Sequence, residues 1–228
     1  MNSPAVAVRP APAGATRSRV DIGRLVLVPV FALLLTANLL AVPHAVRSRH
    51  GVAMLVALAV SALTVAFYLL VLWAYLRRGP ATSTARSSVT RAVAVIATGL
   101  PVVLPVLVGL GTSLVLNCLA GVLMLVGLAL SVLSLRALNR NLSVIPQVRD
   151  LAVAGPYRWV RHPLYVGELV TVLGITMRAP RPAPMVLWLV LVGLQAYRAS
   201  AEERLLAATL PAYAGYRAST ARFVPRLY

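Results

Sequence analysis

The chain has 228 residues, 60% of them hydrophobic and only 12% charged, about half the charged share of a soluble domain. It carries 22 basic side chains against five acidic ones, a formal net charge of +17, and residues 92–135 contain no charge at all. Disorder and ordinary water-soluble folding are excluded, and a polytopic membrane protein is required.

All 22 cations are arginine, and the acids are Asp21, Asp150, Glu168, Glu202 and Glu203. So basic a soluble protein would point to nucleic acid, but no nucleic-acid motif accompanies the charge. The arginines sit between apolar runs, where basic loops meet anionic lipid headgroups. The single cysteine, Cys118, lies inside an apolar run and excludes an internal disulfide or a cysteine-based zinc site.

In chain order, residues 1–24 form a Pro/Ala/Arg-rich tail without aromatics that reads as disordered. A first span is predicted over Leu25–Val46. A second covers Val52–Leu76, where Trp73 and Tyr75 suit an interfacial belt. Arg77–Arg91 reads as a polar loop. The uncharged stretch 92–135 holds two spans, with Gly109, Gly111, Thr112 and Ser113 as the turn between them. Pro101 and Pro105 predict a kink in the third span, while Gly121, Gly127, Ser131 and Ser134 predict close packing of the fourth. Residues 136–162 are too polar for lipid. Two short apolar segments follow, Pro163–Met177 and Pro184–Arg198, each about 22 Å long as a helix, and Ser200–Tyr228 is polar again. The expected fold is an all-α membrane helical bundle of about six membrane segments, the last two a short hairpin. Its regions are the tail 1–24, four helices over 25–135, and a C-terminal region 136–228.

Arginine counting orients this arrangement. With the N-terminus inside, the inner segments hold 18 arginines and the outer loops four, namely Arg47, Arg49, Arg178 and Arg181. By the positive-inside rule both termini and residues 136–162 face the cytoplasm of a plasma (inner) membrane.

Two polar clusters then share one face. The first is Gly155-Pro-Tyr-Arg-Trp-Val-Arg-His-Pro-Leu-Tyr-Val-Gly-Glu168. Pro163 suits the first position of a helix, which leaves His162 at the cap and Arg161 just outside, a ready anion site. Tyr165 and Glu168, three apart, share a helix face, and Gly167 leaves room for a ligand or a neighbouring backbone. The second cluster is Glu202-Glu203, followed by Tyr213 and Tyr216. Adjacent residues on a helix point about 100° apart, so the two acids are expected to differ in role. Blander readings stand beside these: Arg158 and Arg161 as inner-face anchors, Glu168 as half of a buried ion pair, and Glu202-Glu203 as a solvated helix face.

The string Gly155-Pro-Tyr-Arg-x-x-Arg-His-Pro-x-Tyr-x-Gly167, then Glu202-Glu203-x-x-Leu206, Tyr213-x-x-Tyr216 and Pro225, resembles the isoprenylcysteine carboxyl methyltransferase family, parts of which the phospholipid N-methyltransferases share. The resemblance covers about residues 136–228. It implies an integral membrane methyltransferase that uses S-adenosylmethionine, bound in a cytoplasmic pocket of the C-terminal helices. Tyr157, His162, Tyr165, Gly167, Glu202 and Glu203 would bind the cofactor. On the chemistry of the acceptor alone, a carboxylate needs only an arginine such as Arg161 to orient it, whereas an amine or thiol needs a proton removed, for which Glu168 and His162 are the candidates. The implied substrate is lipophilic or lipid-linked, and carboxylate, amine, thiol and isoprenoid hydroxyl acceptors all stay open, as does the oligomeric state. No metal-ligand cluster is present in the sequence pattern. Two other classes stand against this reading: a membrane sterol- or enone-type reductase using NADPH, and a non-catalytic membrane binding protein.

Overall fold

The computed structural model describes residues 22–48, 50–77, 83–84, 87–108, 113–145, 147–148, 150–178 and 181–225. Among them are seven helices: α1 (Ile22–Arg47), α2 (Gly51–Arg77), α3 (Ser88–Val108), α4 (Leu114–Leu138), α5 (Pro163–Met177), α6 (Pro182–Thr209) and α7 (Tyr213–Ser219). The all-α membrane bundle is thus the architecture observed. Of the predicted tail 1–24, residues 22–24 belong to α1 instead; its residues 1–21, the Gly109–Thr112 part of the turn, and Arg49, Arg78, Arg86, Arg149 and Arg226 lie outside the described residues.

Local chemistry sets the helix ends. Ser113 caps α4, its hydroxyl accepting from Leu116 N at 3.4 Å, and Asn139 ends the helix with φ 53°. A short polar side chain tolerates that left-handed conformation better than most. Pro163 opens α5 and Pro182 opens α6, where a missing N–H leaves no bond unmade. Arg24 reaches from α1 to the end of α2, donating to the carbonyls of Tyr75 at 3.0 Å and Leu76 at 3.1 Å.

The bundle is organised around α4 and α5, which pack along their whole shared length. Small residues make the approach possible. Gly167 of α5 faces Ser131 and Gly127 of α4, Thr171 covers Gly127, and Gly174 sits on Ala120 and Met124. As the α5 number rises the α4 number falls, so the helices run antiparallel. The other face of α4 receives α2, with Gly121 against Val56, and α2 carries α1. On the far side of α5, Ala97, Leu104, Val172 and Leu191 form a buried cluster joining α3, α5 and α6. Trp188 Nε1 also donates to Leu169 O at 3.0 Å.

Two expectations are corrected. The segment Arg77–Arg91, predicted as a loop, contains β1 (Ser83–Thr84), which pairs antiparallel with β2 (Gln147–Val148). The last two apolar segments do not form a hairpin of two short helices. The first of them, α5, has 15 residues, but α6 has 28 and runs on past Arg198 through both glutamates. Ser200 does not end it, because its hydroxyl bonds back to Ala196 O at 2.9 Å, and Ala, Glu, Arg and Leu after it are strong helix formers. Among the described residues, four helices are long and apolar enough to cross a membrane, within α1, α2, α4 and α6, while α3 and α5 supply shorter apolar stretches.

A methyl group added at Gly167 would meet Ser131 Oγ at 2.5 Å and the Gly127 carbonyl at 2.7 Å, whereas one added at Gly193 meets nothing within 4 Å. Gly167→Ala is therefore expected to cost about 1–3 kcal/mol, and Gly193→Ala to be neutral or stabilising. Thermal unfolding of both variants in one detergent checks this; equal Tm values would show that the α4–α5 seam can relax.

Candidate functional site

Residues 154–162 lead from the polar segment into α5. Gly155, at φ +57°, starts a tight 3-10 turn over Gly155–Arg158; glycine adopts that backbone conformation without a Cβ clash. The chain then meets its own C-terminal segment. Arg161 N donates to Ala221 O at 2.9 Å and His162 N to Arg222 O at 3.2 Å. Tyr216 of α7 closes the same corner, its hydroxyl donating to Tyr157 O at 2.8 Å.

Charge holds these pieces together. Glu203 Oε1 accepts from Arg161 Nε at 3.0 Å and His162 Nε2 at 3.1 Å, and it forms an ion pair with Arg222, whose Nε lies 3.4 Å away. Arg161 also donates through one terminal nitrogen to Arg217 O at 3.1 Å and to Thr220 O. Arg222 donates further to Ser200 Oγ at 2.5 Å. The anion site expected at Arg161 is therefore not what is built: this guanidinium is committed to an acid and two carbonyls of its own chain. His162 stands at the cap position of α5 without capping it. Its ring stacks on Tyr165, centroids 5.5 Å apart and planes 3° from parallel, and lies 5.6 Å from Phe223.

The neighbouring acids do take different roles. Glu202 accepts the Tyr165 hydroxyl, lies 3.9 Å from His162 Nδ1 and lines a cavity, whereas Glu203 is bound into the cationic cluster. The cavity has a volume of about 460 Å³, within the range of small-molecule sites. One end is polar, with Asn141, Asp150, His162, Glu202 and Tyr216 in its wall. The other runs into the bundle between Phe31, Leu34, Phe67 and Leu128. Tyr75 and Thr64 both line it, eleven positions apart on α2, about 16 Å along the axis.

Of the residues singled out in the sequence, Tyr157, Arg161, His162, Tyr165, Glu168 and Glu202 all line this cavity. Gly167 is not part of the cavity wall; the space beside it is filled by Ser131 and Gly127 of α4. Glu203 braces the site from behind. Tyr213 and Tyr216 add to the polar end. Among the described residues, the buried Tyr213 hydroxyl has no hydrogen-bond partner. Burial pushes both phenols up to about 12 and raises Tyr157 further still, so all three remain neutral donors at neutral pH. Sequence reading did not find Gln195, which is fully buried, or the inward role of Arg198, whose guanidinium lies 4.7 Å from the Tyr165 ring centroid. An arginine within an apolar helix signals a buried partner. Among the described residues, no group of three or more His, Cys, Asp or Glu could hold a metal ion.

Removing the Glu203 charge leaves Arg161 and Arg222 without their shared acid. Glu203→Gln is expected to destabilise by about 3 kcal/mol and to raise hydrogen exchange in residues 220–224. Glu202→Gln, which keeps an acceptor for the Tyr165 hydroxyl and loses the charge 3.9 Å from His162 Nδ1, should cost about 1 kcal/mol. Equal effects of the two substitutions would contradict the division of labour.

Comparison with known proteins comes to the same part of the chain. Residues 106–211 match the family model for phospholipid methyltransferase. Over 78 residues the chain is 37% identical to the cobalt-zinc-cadmium resistance protein CzcN of Cupriavidus metallidurans; that match covers 34% of this chain and 36% of the relative.

Proposed function

We propose that this chain, whose residues 106–211 match the phospholipid methyltransferase family model, is an integral membrane enzyme that methylates a lipophilic acceptor using S-adenosylmethionine. The observation that carries the reading is one continuous cavity with a polar end at Glu202 and Tyr216 and an apolar arm between α1, α2 and α4. A lipid-like acceptor and a polar cofactor need such a two-ended chamber, because their reacting atoms must meet away from bulk water.

The polar end fits the cofactor. Glu202 offers a carboxylate that can accept two hydrogen bonds from a ribose diol or pair with a cation. The orphaned Tyr213 hydroxyl offers a donor that lacks a protein partner, a condition a ligand would relieve. When bound, the cofactor supplies a methyl group on a positively charged sulfur. The protein has no covalent step to perform. His162 and Tyr165 form a stacked wall, Glu202 offsets positive charge in a strongly basic protein, and the Arg161–Glu203–Arg222 cluster keeps the C-terminal segment seated beside the chamber. The carboxylate, amine or thiol chemistry of the acceptor decides whether a base is needed.

The arginine bias supports a cytoplasmic polar end, with both termini on that side. Reporter fusions after residues 86 and 228 should both report cytoplasm; an external C-terminus would put the cavity mouth on the wrong side for the cofactor.

Titration of the purified protein in nanodiscs should show binding of S-adenosylmethionine and not of NADPH. Glu202→Gln should weaken that binding by about 10- to 100-fold, the loss of charge-assisted hydrogen bonds, and Tyr213→Phe by about fivefold. Saturable NADPH binding without S-adenosylmethionine binding would replace this reading with the reductase class.

A further inference from the structure

The apolar arm of the cavity is not walled by carbon alone. Phe31, Leu34 and Asn38 of α1 all line it, at the i, i+3 and i+7 spacing of a single helix face. Asn38 stands one turn beyond Leu34, about 6 Å farther along α1. Arg24 meets the carbonyls at the end of α2, and the Phe31 ring lies 6.2 Å from that of Tyr68. The two helices therefore run antiparallel, which brings Asn38 close to the level of Thr64. Thr64 lines the cavity from α2 and Thr98 lines it from α3.

These three side chains share a bias: each asks for a proton to be donated to it. Thr64 Oγ1 donates to Val60 O at 2.8 Å, and Thr98 Oγ1 donates to Ala94 O at 2.8 Å. A hydroxyl has one proton, so both oxygens keep only acceptor capacity toward the cavity. The buried Asn38 Oδ1 has no hydrogen-bond partner among the described residues. An asparagine within a span commonly bonds across to a neighbouring helix, and a buried carbonyl without a donor is unfavourable. Thr64 cannot relieve it, because its proton is spent on its own helix. A ligand that donates a hydrogen bond in the arm would meet the need, and a plain hydrocarbon tail would leave it unmet.

Resting on the methyl-transfer reading for which molecule fills the arm, we propose that Asn38 determines acceptor specificity. The acceptor is an amphiphile that carries a hydrogen-bond donor, a hydroxyl or an amide N–H, well down its apolar part. Asn38 Oδ1 accepts from that donor, with the Thr64 and Thr98 oxygens as secondary acceptors. The reacting atom stays at the polar end, and the distal donor fixes how deep the molecule sits. Thr64 lies about 16 Å along α2 from Tyr75, so this recognition is remote from the chemistry. Tails without a donor, saturated or isoprenoid, lose the contact.

Two probes test this on the full-length protein in nanodiscs: dodecanol, and the dodecane diol that carries a hydroxyl at each end. Saturable binding of each is measured by equilibrium dialysis against empty nanodiscs, with no cofactor added. The ratio of diol to dodecanol affinity, compared between wild type and variant, cancels the unequal partitioning of the probes into lipid. Asn38→Leu should lower that ratio about five- to tenfold, the worth of one hydrogen bond. Thr64→Val should lower it about twofold. Thr36→Val, which removes a hydroxyl bonded to Ala32 O on the exposed side of α1, should leave it unchanged. Thermal unfolding without ligand gives a second readout. Asn38→Leu should keep or raise Tm, because it removes an unpaired carbonyl, whereas an asparagine that joined helices would lower Tm when lost. An unchanged ratio in Asn38→Leu, an equal loss in Thr36→Val, or a lowered Tm in Asn38→Leu would each overturn the proposal. S-adenosylmethionine titration of the same wild-type sample reads the methyl-transfer reading separately, since its failure leaves the diol preference measurable.

Discussion

Two helix backbones in contact underlie everything else in this molecule. Between α4 and α5 the side chains shrink to glycine, serine and threonine, and the Gly167 and Gly127 backbones face each other directly. In a bilayer the lipid tails are as apolar as leucine, so helices gain little by hiding apolar surface and much by close packing. That seam sets the position of α5, and α5 presents Tyr165 and Glu168 to the cavity from its opposite side. Its first residues in turn receive the C-terminal segment. Loosening the seam would move the site, and Ser131 and Thr171 of the seam themselves line the cavity.

A second constraint is electrostatic. In a protein with net charge +17, one carboxylate oxygen of Glu203 gathers Arg161, His162 and Arg222. These come from two stretches some sixty residues apart, and a third, α6, supplies the acid. Burying any of these charges alone would be unfavourable; together they form a joint that closes the polar end. Its neighbour Glu202 is thereby spared for the chamber. One residue of separation on a helix turns the side chain by about 100°, enough to put one acid in the joint and the other in the wall.

Much of this was legible in the sequence because it is local. Pro163 announces the start of α5, Tyr165 and Glu168 share its face by spacing, and the family resemblance reads the two motifs together; the family match, beginning at residue 106, extends it back to include α4. What was not legible depends on contacts across the chain. Gly167 looks like an opening until α4 fills it, and no local pattern pairs it with Ser131. Arg198 reads as the basic end of a span because polar residues follow it, yet Ser200 satisfies its own hydroxyl and the helix continues. Because α6 continues, Gln195 and Arg198 fall one turn apart on a buried face, where Arg198 donates to Gln195 Oε1 and Gln195 Nε2 donates to Glu168 Oε2. The pairing of β1 with β2 is two residues long and leaves no periodicity to read.

The continuity of α6 ties the chemistry to the lipid. At 28 residues the helix is about 42 Å long, against about 30 Å of hydrocarbon, and it is stiff from Trp188 to the two glutamates. Its apolar half must match the membrane while its polar half carries one wall of the chamber. A thicker bilayer therefore draws the glutamates toward the headgroups or tilts them, and a thinner one lifts them into water. Membrane thickness becomes a mechanical input to the site, transmitted along a single rod without any ligand acting on the rest of the protein.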